Sequence, residues 1–286
     1  MAFLDTIVGV SERVFTLLQR GRSLVLQGLT PLDAAIRLLH GQQGLPPLWL
    51  RRHTGPLRYY LSSARELRGI IEAKGLIQPT DCVLDIGCGT GVMAVECARL
   101  LGVTGRYVGF DVHRPSIRWC RKAFALDSRF EFHEAMIASP YSDGQLPPPT
   151  TYRFPLPDHT AGFVLAKSVF THLLEPAARH YLEEVRRTLS PGRIALVTAF
   201  LYSHTSRTGR GRSASFRFAD LQSVVRWRWK ARPEAAIAYE LEHFTAMVRD
   251  AQLEIAWLSP GFWPGEGDPP RGQDLLFLRP RLGRAC

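Results

Sequence analysis

Apolar and polar positions follow two different periods along this chain of 286 residues. Short apolar runs that end at glycine or at a polar residue predict buried strands over Val83–Ile86, Tyr107–Val112, Phe130–His133, Phe163–Lys167 and Arg193–Phe200. Between them, apolar residues recur at helical spacing over Val92–Leu101, Pro115–Leu126 and Pro176–Leu189, the last with Tyr181, Leu182, Val185 and Leu189 on one stripe. Gly102 and Pro191-Gly192 stop two of these helices, and Pro115 opens the third. A helix around Ala238–Ala251 and strands over Leu253–Leu258 and Asp274–Leu278 complete the pattern. Strands alternating with helices predict an α/β, doubly wound, mostly parallel sheet. Ligands of such sheets bind at the carboxyl ends of the strands, so the chemistry is sought there.

The first sixty residues read instead as helices. Thr30-Pro31-Leu32-Asp33 is a start signal, with Thr30 as cap and Pro31 at the first helical position, and Gly41 closes that helix. The expected organisation is an N-terminal helical cap or arm over 1–60 and a main domain over 61–286. The arm could pack on the main domain, cover the active site, pair two copies as a homodimer or lie on a membrane surface; packing is the simplest of these. Ala138–Pro157 carries six prolines and is expected to be an irregular loop.

Composition narrows the class. Hydrophobic residues make up 45% and charged residues 22%, which excludes a disordered chain, a collagenous one and a membrane channel. No window approaches ~18 uninterrupted apolar residues, so no membrane span is expected. The apolar start is broken by Asp5, Glu12 and Arg13 and has no small-residue cleavage site, so no signal peptide is expected. The five cysteines form no CxxC and no zinc spacing, which suits a reduced, cytoplasmic chain without a structural metal. The net charge of +10 is carried almost wholly by arginine, since only Lys74, Lys122, Lys167 and Lys230 are lysine.

That charge gathers in one place. Between about 203 and 233, Arg207, Arg210, Arg212, Arg217, Arg226, Arg228, Lys230 and Arg232 face only one acid, Asp220. The stretch follows the fifth strand, where a lid over a substrate would be inserted, and guanidinium forks suit carboxylates and phosphates. Arg207, Arg210, Arg212 and Arg217 are therefore candidate substrate-binding residues for a small anionic molecule. A solvated basic face explains the run equally well. Phe216, Phe218, Trp227 and Trp229 interleave with the arginines, so RNA held by stacking and phosphate contacts is the rival partner.

The glycine segment Val83-Leu84-Asp85-Ile86-Gly87-Cys88-Gly89-Thr90-Gly91 is the most informative stretch. Glycines allow a tight turn between strand and helix and a close approach of a ligand to the backbone. Asp111, twenty residues beyond Gly91, can accept both ribose hydroxyls. A dinucleotide fingerprint would need a third glycine at Val92, and Asp85 stands near the place of a diphosphate. A carboxylate there opposes an anionic ligand and suits a cationic, phosphate-free one such as S-adenosylmethionine (SAM).

With these residues in hand, the sequence resembles the class I SAM-dependent methyltransferases. VLDIGCGTG is similar to their first motif and YVGFDV, with Asp111, to their second. FPLPDHTAGFVLAKSVFTHL resembles the segment around their fourth strand, and YLEEVRRTLSPGRIALVT their next helix and fifth strand. The likeness runs from about Gly75 to Leu278. SVFTHL with the late GFW and QDLLFL resembles a subgroup of bacterial methyltransferases met in biosynthetic clusters. The resemblance implies a Rossmann-like seven-stranded sheet of order 3-2-1-4-5-7-6 with an antiparallel last strand. It also implies SAM as cofactor and S-adenosyl-L-homocysteine as product. By motif position it places Asp85, Gly87, Cys88 and Gly89 on the methionine side, and Asp111 with Val112 at the ribose. His113 would lie by the adenosine, Glu134 by the adenine amine, and Lys167, Ser168 and Phe170 would face the methionine and sulfonium. Gly162 departs from the Asp that the family mostly has there.

Methyl transfer needs a general base only when the acceptor carries a proton to lose. His172, just past the fourth strand, is the first candidate, and His204, past the fifth, is the second; His172 could instead cap the next helix. The expected function is methylation of an oxygen, carboxylate or hydroxyl, on a small acidic metabolite of bacterial secondary metabolism. The alternatives are an RNA methyltransferase and a non-catalytic SAM-binding protein.

Overall fold

The computed structural model describes residues 21, 24–42, 44–51, 60–140, 142, 145–203, 224–228, 232–261 and 272–281. It divides into two compact units, residues 1–63 and 64–286. In the first, helix α1 (Thr30–Leu39) and the single turn α2 (Leu48–Arg51) are joined through a buried carboxylate. Asp33 accepts from Arg37 Nε at 2.9 Å, from the Leu48 N–H at 3.1 Å and from Arg51. Thr30 is not the cap expected from the sequence. Residues 24–28 are already helical, and Leu29 takes the cap position with helical backbone angles and no side-chain cap bond. Gly41, at φ +62°, follows the end of α1.

The second unit starts in helix α3 (Ser62–Ala73), whose first two residues belong to the first unit. Then follow β1 (Cys82–Ile86), α4 (Val92–Cys97), β2 (Arg106–Asp111), α5 (Arg114–Ala123), β3 (Phe130–Glu134), β4 (Ala161–Ala166), α6 (Glu175–Thr188) and β5 (Leu189–Ala199). After β5 come three short strands, β6 (Leu201–Tyr202), β7 (Val225–Trp227) and β8 (Ile237–Glu240). Helix α7 (Leu241–Asp250) and strands β9 (Leu253–Ser259) and β10 (Asp274–Pro280) close the described chain.

Seven strands form one sheet in the order β3-β2-β1-β4-β5-β10-β9. β10 runs antiparallel to both neighbours and the central strands are parallel. This is the Rossmann-like order that the resemblance implied. The strands are apolar because both faces are covered. One core takes Leu84, Ile86, Val108, Phe110 and Val164 with Tyr181, Leu182 and Val185 of α6 and Phe244 and Met247 of α7. The other takes Val83, Tyr107, Phe163 and Leu165 with Leu67 and Ile71 of α3, Met93 of α4 and Ile117 of α5.

Two places differ from the sequence pattern. Pro191-Gly192 does not precede β5 but lies within it. Ala161 pairs with Leu189 and Phe163 with Ile194, so the intervening residues bulge out of the ladder with Gly192 at φ +73°. At this corner Gly162 is required by its surroundings, because a Cβ there would collide with the Asp81 carboxylate, which pairs with Arg193. The acid missing at 162 is thus matched by one at 81. The second difference is β8. The start of the helix expected at Ala238–Ala251 is strand, central in a separate three-stranded sheet of order β6-β8-β7.

Candidate functional site

The loops after β1, β2 and β4 converge at the carboxyl edge of the sheet. After β1, Gly87, Gly89 and Gly91 have φ of +67°, +53° and +76°, the left-handed region that side-chain-bearing residues avoid. A Cβ on Gly87 would stand 2.6 Å from Val169 Cγ2, so the β4 loop lies directly against this turn. The Cys88 N–H donates to Phe110 O at 3.0 Å, and the buried Cys88 side chain sits under the loop. Burial pushes both its thiol and that of Cys97 well above the ordinary range, so neither is a nucleophile.

Asp111 ends β2 beside the same turn. Its Oδ2 accepts from the Gly89 N–H at 2.8 Å and its Oδ1 from the His113 N–H at 2.7 Å. Both of its oxygens are thereby held beside the glycine turn, where a carboxylate can accept the hydroxyls of a ribose. Val112 is partly buried at the edge of the core. The His113 ring, just ahead of α5, stands 2.7 Å from Ser116 Oγ. Glu134 lies opposite Asp111 on β3 and ion-pairs with Arg114 at 3.4 Å.

Asp85 is 2% exposed. Its carboxylate accepts the Tyr107 hydroxyl, and burial raises its pKa to about 7 against the pull of that bond and of Lys167. Lys167, past β4, is itself pulled down by burial, while Asp85 and Glu66 act the other way. Ser168 has φ +59°, and its N–H donates to Thr198 Oγ1 at 2.7 Å while its hydroxyl donates to Gln273 Oε1 at 3.1 Å. Thr198 also donates to Gln273, at 2.6 Å. Thr198 and Gln273 were not singled out from sequence; a polar residue inside the apolar run Ile194–Phe200 was the available signal. Phe170 is wholly buried and meets Phe244 edge-on at 5.8 Å, so its ring belongs to the core beneath the loop.

His172 closes the β4 loop. Its Nδ1 is 2.7 Å from Glu234 O, a pure acceptor, so Nδ1 carries the proton and the neutral ring has its lone pair on Nε2. Burial lowers its pKa below the usual histidine value, with the Glu234 carbonyl opposing. The ring is therefore neutral at physiological pH. His204, Arg207, Arg210, Arg212 and Arg217 lie outside the described residues. Arg226 from the same basic run is buried with its guanidinium 3.6 Å over the Tyr202 ring, a role in the small sheet.

Asp111 at the mouth of this left-handed glycine turn suits a ribose, and the second carboxylate, Asp85, is buried on Tyr107. A family model described as a methyltransferase domain matches residues 83–192, from β1 into β5. Residues 83–192 therefore match a methyltransferase domain, and the sheet that carries them has the Rossmann-like fold of SAM-dependent methyltransferases of known structure. The cofactor of such a domain is SAM; Asp111 and the glycine turn could take its ribose, and Asp85 and Lys167, which influence each other's ionisation, its methionine end. A Saccharolobus solfataricus protein named probable cobalt-precorrin-6B C(15)-methyltransferase (decarboxylating) is 42% identical over 57 residues, which are 20% of this chain and 29% of that relative's length. A SAM-dependent methyltransferase from Aquifex aeolicus shares the fold with a TM-score of 0.51 at 17% identity, over 82% of this chain and 98% of its own. The mitomycin 7-O-methyltransferase MmcR does so with a TM-score of 0.52 at 16% identity, over 89% of this methyltransferase-fold chain and 60% of its own. Among the described residues no helix is long and apolar enough to cross a membrane.

Proposed function

We propose that this protein is a SAM-dependent methyltransferase acting on a hydroxyl oxygen of a small anionic metabolite. The cofactor supplies a methyl already activated on a sulfonium. Residues Gly87 to Gly91 and Asp111 would hold its nucleoside, and Asp85 with Lys167 its methionine end. What this chain adds is orientation, a dry site and a place for the acceptor's proton. As the new oxygen–carbon bond forms, that proton goes to His172 Nε2. The fixed tautomer of His172 is the observation that carries the reading: a neutral imidazole, Nδ1 tied to Glu234 O, beside the loop that touches the glycine turn. The basic run 203–233 supports an anionic acceptor, and the O-methyltransferase among the structural neighbours is consistent with oxygen as the target.

The test is His172→Asn. The asparagine amide can still donate to the Glu234 carbonyl, but Nε2 is gone. Turnover should fall about a hundredfold or more, while calorimetry with S-adenosylhomocysteine shows unchanged affinity. Full activity would remove His172 as the base and turn the assignment to a carboxylate acceptor, which needs none.

A further inference from the structure

Strand β8 and the turn before it hold the loop after β4 at three consecutive residues. The Ile237 N–H donates to Thr171 O at 2.8 Å. His172 Nδ1 donates to Glu234 O at 2.7 Å. The Tyr239 hydroxyl donates to Leu173 O. Two of these anchors use main-chain groups of β8 or its turn, whereas the third is a single side-chain hydroxyl. Tyr239 is wholly buried, and its ring lies 5.4 Å from Phe244, which also receives Phe170 from the same loop. His172 is therefore clamped between Phe170 on one side and Leu173 on the other, both reaching the Tyr239–Phe244 pair. Burial pushes the Tyr239 phenol up, so it remains a donor across the working range.

We propose that Tyr239 is a positioning residue for His172: its bond to Leu173 keeps the imidazole on the Glu234 carbonyl and so keeps the lone pair on Nε2. The tautomer of a neutral histidine follows the partner of its other nitrogen. When the loop moves off that partner, the contact that holds the proton on Nδ1 is lost. β8 also hydrogen-bonds to β6 and β7, and Arg207, Arg210, Arg212 and Arg217 lie between these two strands in the sequence. The function of the clamp rests on the reading of His172 as proton acceptor, but the position of its proton does not.

The experiment is Tyr239→Phe in the full chain, read by nitrogen-15 NMR of the imidazoles, with the His172 signals assigned by their loss in His172→Asn. The parent protein should show a protonated Nδ1 and an unprotonated Nε2 for His172. In Tyr239→Phe the two signals should move toward an average, and kcat should fall about tenfold with acceptor KM and S-adenosylhomocysteine affinity held. Val248→Ala, a cavity in α7 within the same core, should lower Tm without either change. Should Tyr239→Phe fail to fold, Pro233→Gly loosens the turn that carries the Glu234 carbonyl and should give the same spectral change. Unchanged tautomer signals in the variant, or the same change from Val248→Ala, overturns the proposal. An active His172→Asn alongside a shifted spectrum in Tyr239→Phe leaves the clamp standing and removes only the base.

Discussion

At the end of β1, Asp85 occupies the place the glycine motif assigns, yet its carboxylate is turned into the layer beneath the sheet, onto Tyr107. From sequence, Asp85 is a carboxylate near the place of a diphosphate, which opposes an anionic ligand. Burial makes it a weaker acid instead, raised from 3.8 to about 7. A folded-state pKa above the unfolded one gives stability that is present below about pH 3.8 and lost as pH rises through about 7. Asp85→Asn keeps an oxygen for the Tyr107 hydroxyl and removes the ionisation. It should therefore raise Tm at pH 8 and change it little at pH 4, while weakening S-adenosylhomocysteine binding. An equal gain at both values, in melts followed by circular dichroism, would contradict the burial account. The motif identified the residue; Tyr107, on the neighbouring strand, set its chemistry.

Glycines illustrate the element scale, because two of them are indispensable for different reasons. Gly87 combines a left-handed φ with Val169 Cγ2 2.6 Å from any Cβ, and it sits in the turn proposed to hold the cofactor. Gly162 has ordinary backbone angles but faces the Asp81 carboxylate that pairs with Arg193. Each alanine variant should cost about 1–3 kcal/mol of stability. Only Gly87→Ala should also weaken S-adenosylhomocysteine binding, by an order of magnitude or more; equal affinity losses in calorimetry would refute the division. The first glycine was readable from its motif. The second was not, since its partner is far away in sequence. Elements whose partners are equally distant were misread for the same reason. Ile237–Glu240 is a short apolar run that suits helix or strand alone, and pairing with Leu201–Tyr202 and Val225–Trp227 decides it.

For the molecule as a whole, charge and order of elements bear on what it binds. If the basic run serves an anionic metabolite, replacing Arg207, Arg210, Arg212 and Arg217 by Gln should raise acceptor KM at least tenfold and leave S-adenosylhomocysteine affinity alone. Gel shifts with tRNA should then show weak, unselective binding that salt abolishes. Tight and selective RNA binding would instead transfer the run to nucleic acid. The amino-acid pattern by itself determined the alternation of strands and helices, the glycine turn, the acid at Asp111 and the histidine after β4, because each depends on neighbours a few residues away. Only the tertiary structure decided that Asp85 is buried, that Phe170 is core, that Asp81 answers for Gly162, and that Glu234 and Tyr239 hold the loop around His172. Those outcomes depend on which distant segments become neighbours, and no local period of apolar and polar residues encodes that.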